Sequence, residues 1–390
     1  MPNFDAIVPR RGTYSLKYDF AKERGLPDDL LPMWVADMDF PAPPEVTEAL
    51  KKVADHGIFG YSEAKEDYFK PLQDWFRERF AFEPQRSWLK KTPGVVFAIN
   101  AAVRGLTREK DAVLIQSPVY YPFGAAIRAN GRTLVDSPLV YKDGKYSVDL
   151  DDFAFKIKTH NVKMFLLCSP HNPVGRVWTE EELRAMGEIC RDQGCLVFSD
   201  EIHCDFVWGD AKHRVFNSLD PSFDEIAILA TAPSKTFNLA GLPLSNVFIP
   251  NGQTRAAFNR EVERTGVSQL SIMALVACRE AYLWGGPWLD ALRAYLEKNL
   301  AFAQDFLRAK LPRVRLAKTE GTYLLWLDFQ NLGLGHERVG ELIINEAKLW
   351  LDDGLIFGEA GRGFQRINMA CPQSVLAEAL GRLHKTFGAL

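Results

Sequence analysis

The sequence has no excess of charge of either sign. Its 47 Lys and Arg face 50 Asp and Glu, a formal net charge of −3 over 390 residues. Nothing in that balance supplies the basic stripe that nucleic acid requires, so no nucleic-acid partner is expected. No stretch approaches the ~18 uninterrupted apolar residues of a membrane span, so no membrane contact is expected either. The start, Met1-Pro2-Asn3-Phe4-Asp5 and then Arg10-Arg11, lacks the apolar core of a signal peptide. Cysteine is scarce: the six stand at 168, 190, 195, 204, 278 and 371, and no two have CxxC spacing. Neither a metal site nor a redox pair is expected from them. Inert thiols in a reducing compartment are, and this makes the cytoplasm the expected location. There is no low-complexity tract and no ~20–50-residue repeat, which excludes a solenoid.

What is present is an ordinary globular composition, 47% hydrophobic and 25% charged. At ~150 residues per domain the length predicts two or three domains. The middle of the chain alternates two patterns. Short apolar runs stand at 112–116, 162–168, 195–198, 226–230 and 245–249, several ended by Ser-Pro, Ser-Asp or Pro. Runs without polar alternation are expected to be strands buried on both faces, as in a parallel sheet. Helical periodicity lies between them. The clearest helix opens at Thr179 with Glu182 three residues on, a capping box, and Gly194 stands past its end. Strand, helix, strand at this pitch predicts an α/β fold with a mostly parallel sheet flanked by helices, over residues 48–284. The remainder reads as a smaller α+β domain built from 1–47 and 285–390, joined near Gly285-Gly286-Pro287. It holds a long helix from Trp288 to Leu311, a strand at 324–329, and helices near 336–348 and 373–388.

In open α/β sheets ligands bind beyond the carboxyl ends of the strands, so polar residues there are the candidates. Lys235 follows the run at 226–230; a buried lysine there would have a free amine able to form a Schiff base with a carbonyl, or else is a surface loop residue. Asp200 ends the preceding run, placed to pair with a protonated ring nitrogen or to cap a helix. His203 stands three residues further on. Asn172 sits in the turn Ser169-Pro170-His171-Asn172-Pro173-Val174-Gly175, where its amide either serves the turn or meets a ligand. Gly94, Val95 and Val96 open a helical pattern whose free N–H groups would hold an anion. Tyr120 and Tyr121 follow another strand end, where an aromatic ring is either packed or stacked on a flat ligand. Arg366 is either a carboxylate clamp or a surface arginine.

Taken together the order and spacing are specific. Asn172, Asp200 and Lys235 are separated by 28 and 35 residues, and Arg366 follows the lysine by 131. The whole chain resembles the aspartate-aminotransferase-type, class I/II pyridoxal-phosphate enzymes. Within them it is most similar to the branch of cystathionine β-lyases and cystalysin-like C–S lyases. The strings that carry this are Met33-Trp34-Val35-Ala36-Asp37-Met38-Asp39-Phe40, Phe59-Gly60-Tyr61, Asp200-Glu201-Ile202-His203, the run from Ala232 through Lys235 to Leu242, and Arg366-Ile367-Asn368-Met369-Ala370-Cys371-Pro372.

The resemblance implies pyridoxal 5′-phosphate as cofactor, held through Lys235, with Asp200 on the ring nitrogen, Asn172 on the ring oxygen and Tyr120 against the ring. It implies a phosphate site at Val95 and Val96, helped by Ser234 or Thr231, and a cis bond at Asn172-Pro173. Tyr61 would reach the phosphate from a neighbouring subunit, making a homodimer with a shared site. Arg366, with Asn172, would grip the carboxylate of an amino-acid substrate. The implied activity is C–S β-elimination from L-cystathionine or related cysteine S-conjugates. Amino transfer to a 2-oxo acid is the alternative, and a cofactor-binding regulatory protein a further one. Three positions depart from relatives. His203 stands where aspartate aminotransferases have tyrosine, and Pro243 where they have arginine. Gln373 stands where lyase relatives often have arginine.

Overall fold

A computed structural model describes residues 2–389 of the chain. Its central feature is a seven-stranded sheet. The strands in chain order are β1 (Leu89–Thr92), β2 (Ala112–Ile115), β3 (Thr133–Asp136), β4 (Met164–Cys168), β5 (Leu196–Asp200), β6 (Ala227–Thr231) and β7 (Ser245–Phe248). In space they run β1-β7-β6-β5-β4-β2-β3. β6, β5, β4, β2 and β3 are mutually parallel. β7 is antiparallel to both β6 and β1, against the expectation that its apolar run signalled a parallel strand. An apolar run reports burial on both faces and carries no information on direction.

Alternate residues of these strands feed two cores. Val113, Ile115, Met164, Leu166, Phe198 and Ile228 face the helix Val95–Leu106 and its neighbours. Leu114, Phe165, Leu167 and Val197 face Phe153, Leu183 and Met186 of helices on the other side. The period of two, with both faces covered, is why the runs are continuously apolar. The capping box at Thr179 is formed as expected: the Thr179 hydroxyl accepts from the Glu182 N–H, and the Glu182 carboxylate accepts from the Thr179 N–H.

A four-stranded antiparallel sheet follows: β8 (Arg315–Leu316), β9 (Leu324–Asp328), β10 (Asp352–Asp353) and β11 (Phe364–Asn368), in the spatial order β8-β9-β11-β10. Beside it lie the helices Gly286–Lys310, His336–Asn345 and Gln373–Phe387. The segment at 285–287 is no open linker, since one helix ends at Trp284 and the next begins at Gly286. The expected division at 47–48 falls within the helix Pro44–His56, which packs on the helix Ile272–Trp284. One close approach fixes the loop after β10. A Cβ on Gly354 would stand 2.0 Å from the Gly361 carbonyl oxygen, so only glycine fits. No described helix is long and apolar enough to cross a membrane.

Candidate active site

The carboxyl ends of β2, β4, β5 and β6 open into a cavity of about 340 Å³. Gly94, Val95, Val96, Tyr120, Asn172, Asp200, His203, Ser234, Lys235 and Arg366 all line it, so ten of the twelve sequence candidates meet at one place.

Lys235 lies on the one-turn helix Pro233–Thr236 that follows β6. Its Nζ donates to the Ala36 carbonyl at 2.8 Å and, among the described residues, forms no ion pair with a carboxylate. Burial lowers its pKa to about 8, and the Arg366 charge pushes the same way, against Asp37 and Asp200. A lysine without a counter-ion in an apolar setting is a nucleophilic amine near neutral pH.

Asp200, 3% exposed, ends β5. A turn follows rather than a helix, so it is not a helix cap. One oxygen accepts the Ile202 N–H at 3.2 Å. Burial raises its pKa to about 7, opposed by that N–H and by Lys235. A buried carboxylate with so little compensation is costly unless a cationic partner comes to it. His203, buried beside it, is held neutral because burial drives its pKa well down, with Lys235 and Arg366 adding to this. Its Nδ1 is buried with no hydrogen-bond partner, and its ring stands edge-on to Tyr323.

The helix Val95–Leu106 begins at the cavity wall with Gly94 as its N-cap. Gly94 has φ +95°, a value that favours glycine, and no side chain caps this end. The first N–H groups of a twelve-residue helix are thus presented where an anion is attracted by the helix dipole. Ser234 adds a hydroxyl to the lining. Tyr120 adds a ring beside Tyr121 and Phe123, its hydroxyl held firmly protonated by burial.

Arg366 comes from the other sheet, on β11. It donates to Asn172 Oδ1 at 2.8 Å, to the Trp34 carbonyl at 3.0 Å and to Asp352, its cross-strand neighbour on β10. Its guanidinium lies 4.9 Å from the Phe357 ring centroid, and its buried Nε has no partner. A guanidinium fixed on so many sides presents its remaining face as a carboxylate fork. Replacing Arg366 with lysine is expected to raise KM for an α-amino acid roughly 10- to 100-fold, the value of a lost charge-assisted hydrogen bond. Steady-state kinetics of Arg366→Lys checks this.

Two candidates stand elsewhere. Thr231 ends β6 but does not line the cavity; its hydroxyl turns to the Asn246 carbonyl on β7, since successive strand residues point to opposite faces. Ser234 alone is left for the expected hydroxyl. Tyr61 is 97% exposed and lies beside residues 266–273, away from the cavity. Gln373 begins the helix Gln373–Phe387, where its N–H donates to Tyr295 Oη, and does not line the cavity. The Asn172-Pro173 bond is cis, as the resemblance implies. Pro243 lines the cavity, so Lys235 and Arg366 are its only cationic side chains among the described residues.

Tyr121, singled out with Tyr120, lines the cavity too. The sequence assigns no role to Asp352 or Leu16, nor to the backbone of Trp34–Asp39. That segment is a rack of carbonyls. Trp34 accepts from Arg366, Val35 and Asp37 from Asn368, and Ala36 from both Lys235 and Tyr323. The string was legible; its use of backbone rather than side-chain atoms was not.

The pocket therefore suits a molecule with a carbonyl carbon for Lys235, a basic ring nitrogen for Asp200 and a terminal phosphate for the helix at Gly94. A family model for class I and II aminotransferases matches residues 28–383. The chain is 42% identical to the cystathionine beta-lyase PatB of Bacillus subtilis (strain 168), over 98% of each chain. Its fold matches cystalysin from Treponema denticola, whose structure contains pyridoxal 5′-phosphate, with a TM-score of 0.95 and 38% identity, covering 99% of this chain and 98% of that one. It also matches the pyridoxal-phosphate-bound C–S lyase of Staphylococcus hominis, TM-score 0.93 at 32% identity, with 99% and 98% covered.

Proposed function

The chain belongs to the class I and II aminotransferase family, and from this we propose that it is a pyridoxal-phosphate-dependent C–S β-lyase acting on L-cystathionine or related cysteine S-conjugates. The observation that carries this reading is similarity over nearly the full chain to a cystathionine β-lyase and to C–S lyases, with a buried lysine in the cavity lining whose Nζ donates to the Ala36 carbonyl.

Lys235, Asp200, Asn172, Tyr120, Ser234 and the N–H groups of Val95 and Val96 would hold the cofactor. When bound, it supplies a sink for the electron pair released at the substrate's Cα. Arg366 and Asn172 hold the α-carboxylate, which fixes the Cα–H relative to Lys235. Lys235 Nζ, as free amine, takes the Cα proton. Asp200 keeps a positive N–H beside it, and the burial that costs the carboxylate so much is relieved by that pairing. His203, neutral and short of one partner, offers a hydrogen bond without adding charge. Overall the Cα–H and Cβ–S bonds break, the sulfur leaves as a thiol, and water uptake gives pyruvate and ammonia. The amine is the reactive form of Lys235, so cofactor uptake by the apo protein is expected to speed up as pH rises through about 8 and to slow below it. Stopped-flow absorbance against pH measures this.

The division into a large cofactor domain and a small one built from both chain ends is part of the same reading. So is a homodimer: Ile58, Phe59 and Tyr61 form an exposed apolar stretch that a second copy would cover, bringing Tyr61 to its neighbour's phosphate site. Mixed dimers with Tyr61→Phe in one subunit and Lys235→Ala in the other would test the sharing; if Tyr61 matters only within its own chain, sharing fails. All six cysteines are free and buried, which supports a reducing compartment such as the cytoplasm. The function itself is tested by incubating the reconstituted protein with L-cystathionine and no 2-oxo acid. Free thiol is expected to accumulate, and its absence alongside amino transfer to 2-oxoglutarate would replace the lyase reading with the aminotransferase one.

A further inference from the structure

Lys235 rides on a single helical turn, Pro233–Thr236, and so short a helix does not hold itself in place. The loop after β5 supplies the anchor. It carries Asp200 and His203 and folds tightly: the Cys204 N–H donates to the Glu201 carbonyl and the Phe206 N–H to the His203 carbonyl, both at 3.0 Å. Asp205 stands in this loop, buried. One of its oxygens accepts the Thr236 hydroxyl at 2.7 Å, and the other accepts the Trp75 indole N–H at 3.2 Å. Thr236, the residue after Lys235, is itself buried. The Trp75 ring also stands edge-on to Phe237, the next residue, with centroids 5.3 Å apart. One carboxylate and its indole partner therefore grip the two residues that follow the lysine.

The chemistry derived above does not use Asp205, and it does not line the cavity. Burial raises its pKa, opposed by Thr236, Arg79, Trp75 and Arg293. Burying a carboxylate is costly, and packing alone does not call for one. A second anchor lies on the chain just beyond. Asn238, at φ +56°, accepts the Met38 N–H at 2.9 Å and donates to the carbonyls of Met38 and Phe40 at 2.9 and 2.7 Å. It fixes the segment whose Ala36 carbonyl receives the Lys235 amine. Asn238 thus sets where the acceptor lies, and Asp205 sets where the lysine's backbone lies.

We propose that Asp205, acting through Thr236, is a positioning residue: it fixes the Lys235 turn against the loop that carries Asp200 and His203, so that the amine keeps one spacing from both. This rests on the C–S lyase reading, with Lys235 as the group that takes the Cα proton.

The test uses Thr236→Val, which keeps the shape and removes the hydroxyl, with Thr236→Ser as the conservative variant. Pyruvate formation from L-cystathionine by the holoenzyme is expected to lose roughly 10- to 100-fold in kcat in Thr236→Val, with KM within about threefold, the signature of a misplaced reacting group. Thr236→Ser is expected to recover most of that loss. Asp205→Asn offers one acceptor oxygen to two donors and is expected to lower kcat as well, but to add little in the Thr236→Val background, since the two act as one unit. The second readout is the uptake of pyridoxal 5′-phosphate by the apo protein. Its pH midpoint is expected near 8 in the wild type. It is expected to move up by roughly 1 pH unit in Thr236→Val, as the amine leaves the burial that lowers its pKa. A lower Tm in Thr236→Val with kcat and midpoint unchanged, or additive losses in the double variant, overturns the proposal. Absence of pyruvate in the wild type, with amino transfer intact, overturns the lyase reading instead, and the uptake midpoint still decides the role of Asp205.

Discussion

Lys235→Ala protein is expected to lose β-elimination by roughly 10³-fold or more, the scale of a lost general base. The expectation rests on the poverty of substitutes. Tyr120 is held protonated by burial. His203 is neutral, but its ring is packed against Tyr323. Asp200 lies at the end of β5, where its task is to hold a positive partner. Among the described residues lining the cavity, Lys235 alone has an amine, and its surroundings lower its pKa to about 8. Its removal also leaves the Ala36 carbonyl with Tyr323 as its remaining side-chain donor. Pyruvate production together with the visible absorption of the reconstituted protein checks the prediction. Retention of either at the wild-type level in a folded variant contradicts the assignment of Lys235.

Asp200→Asn is expected to slow turnover about 10²- to 10³-fold, the usual scale for removing one preorganised electrostatic partner. An amide keeps the shape and the hydrogen bond from Ile202 but cannot hold a positive N–H by charge. The same substitution is expected to act oppositely on the apo protein's stability. In the folded apo chain the pKa is raised from 3.8 to about 7, chiefly by burial. Between those values the folded state binds more protons at Asp200 than the unfolded state, so stability falls as pH rises through that window. Asparagine removes this slope. Apo wild type is therefore expected to lose Tm relative to Asp200→Asn as pH rises from acid to neutral, and bound cofactor is expected to erase the difference. Parallel melts across that pH range, with kinetics at neutral pH, test both halves. A variant equally active and equally pH-sensitive contradicts the role.

Much of this arrangement is legible in the chain, for identifiable reasons. The five apolar runs become strands because both faces of the sheet are covered, and the residues following four of them, β2, β4, β5 and β6, reach one cavity because these strands are parallel and end at one edge. The direction of β7 is not legible, because burial is indifferent to it. β1, Leu89–Thr92, hides behind Lys90 and Lys91 on an edge strand, where polar residues are tolerated. Thr231 misleads because one step along a strand reverses the side chain. Asp352 reaches Arg366 through a cross-strand register that no local pattern announces. The backbone carbonyls of 34–39 carry no side-chain signature at all.

The central claim is that the bond broken after proton removal is Cβ–S. The most direct measurement is a product balance for the reconstituted protein, supplied with a cysteine S-conjugate and 2-oxoglutarate together. The structure and its relatives predict equal amounts of thiol, pyruvate and ammonia, with 2-oxoglutarate unconsumed. Conversion of 2-oxoglutarate to glutamate, with the S-substituent retained in a new 2-oxo acid, would contradict it.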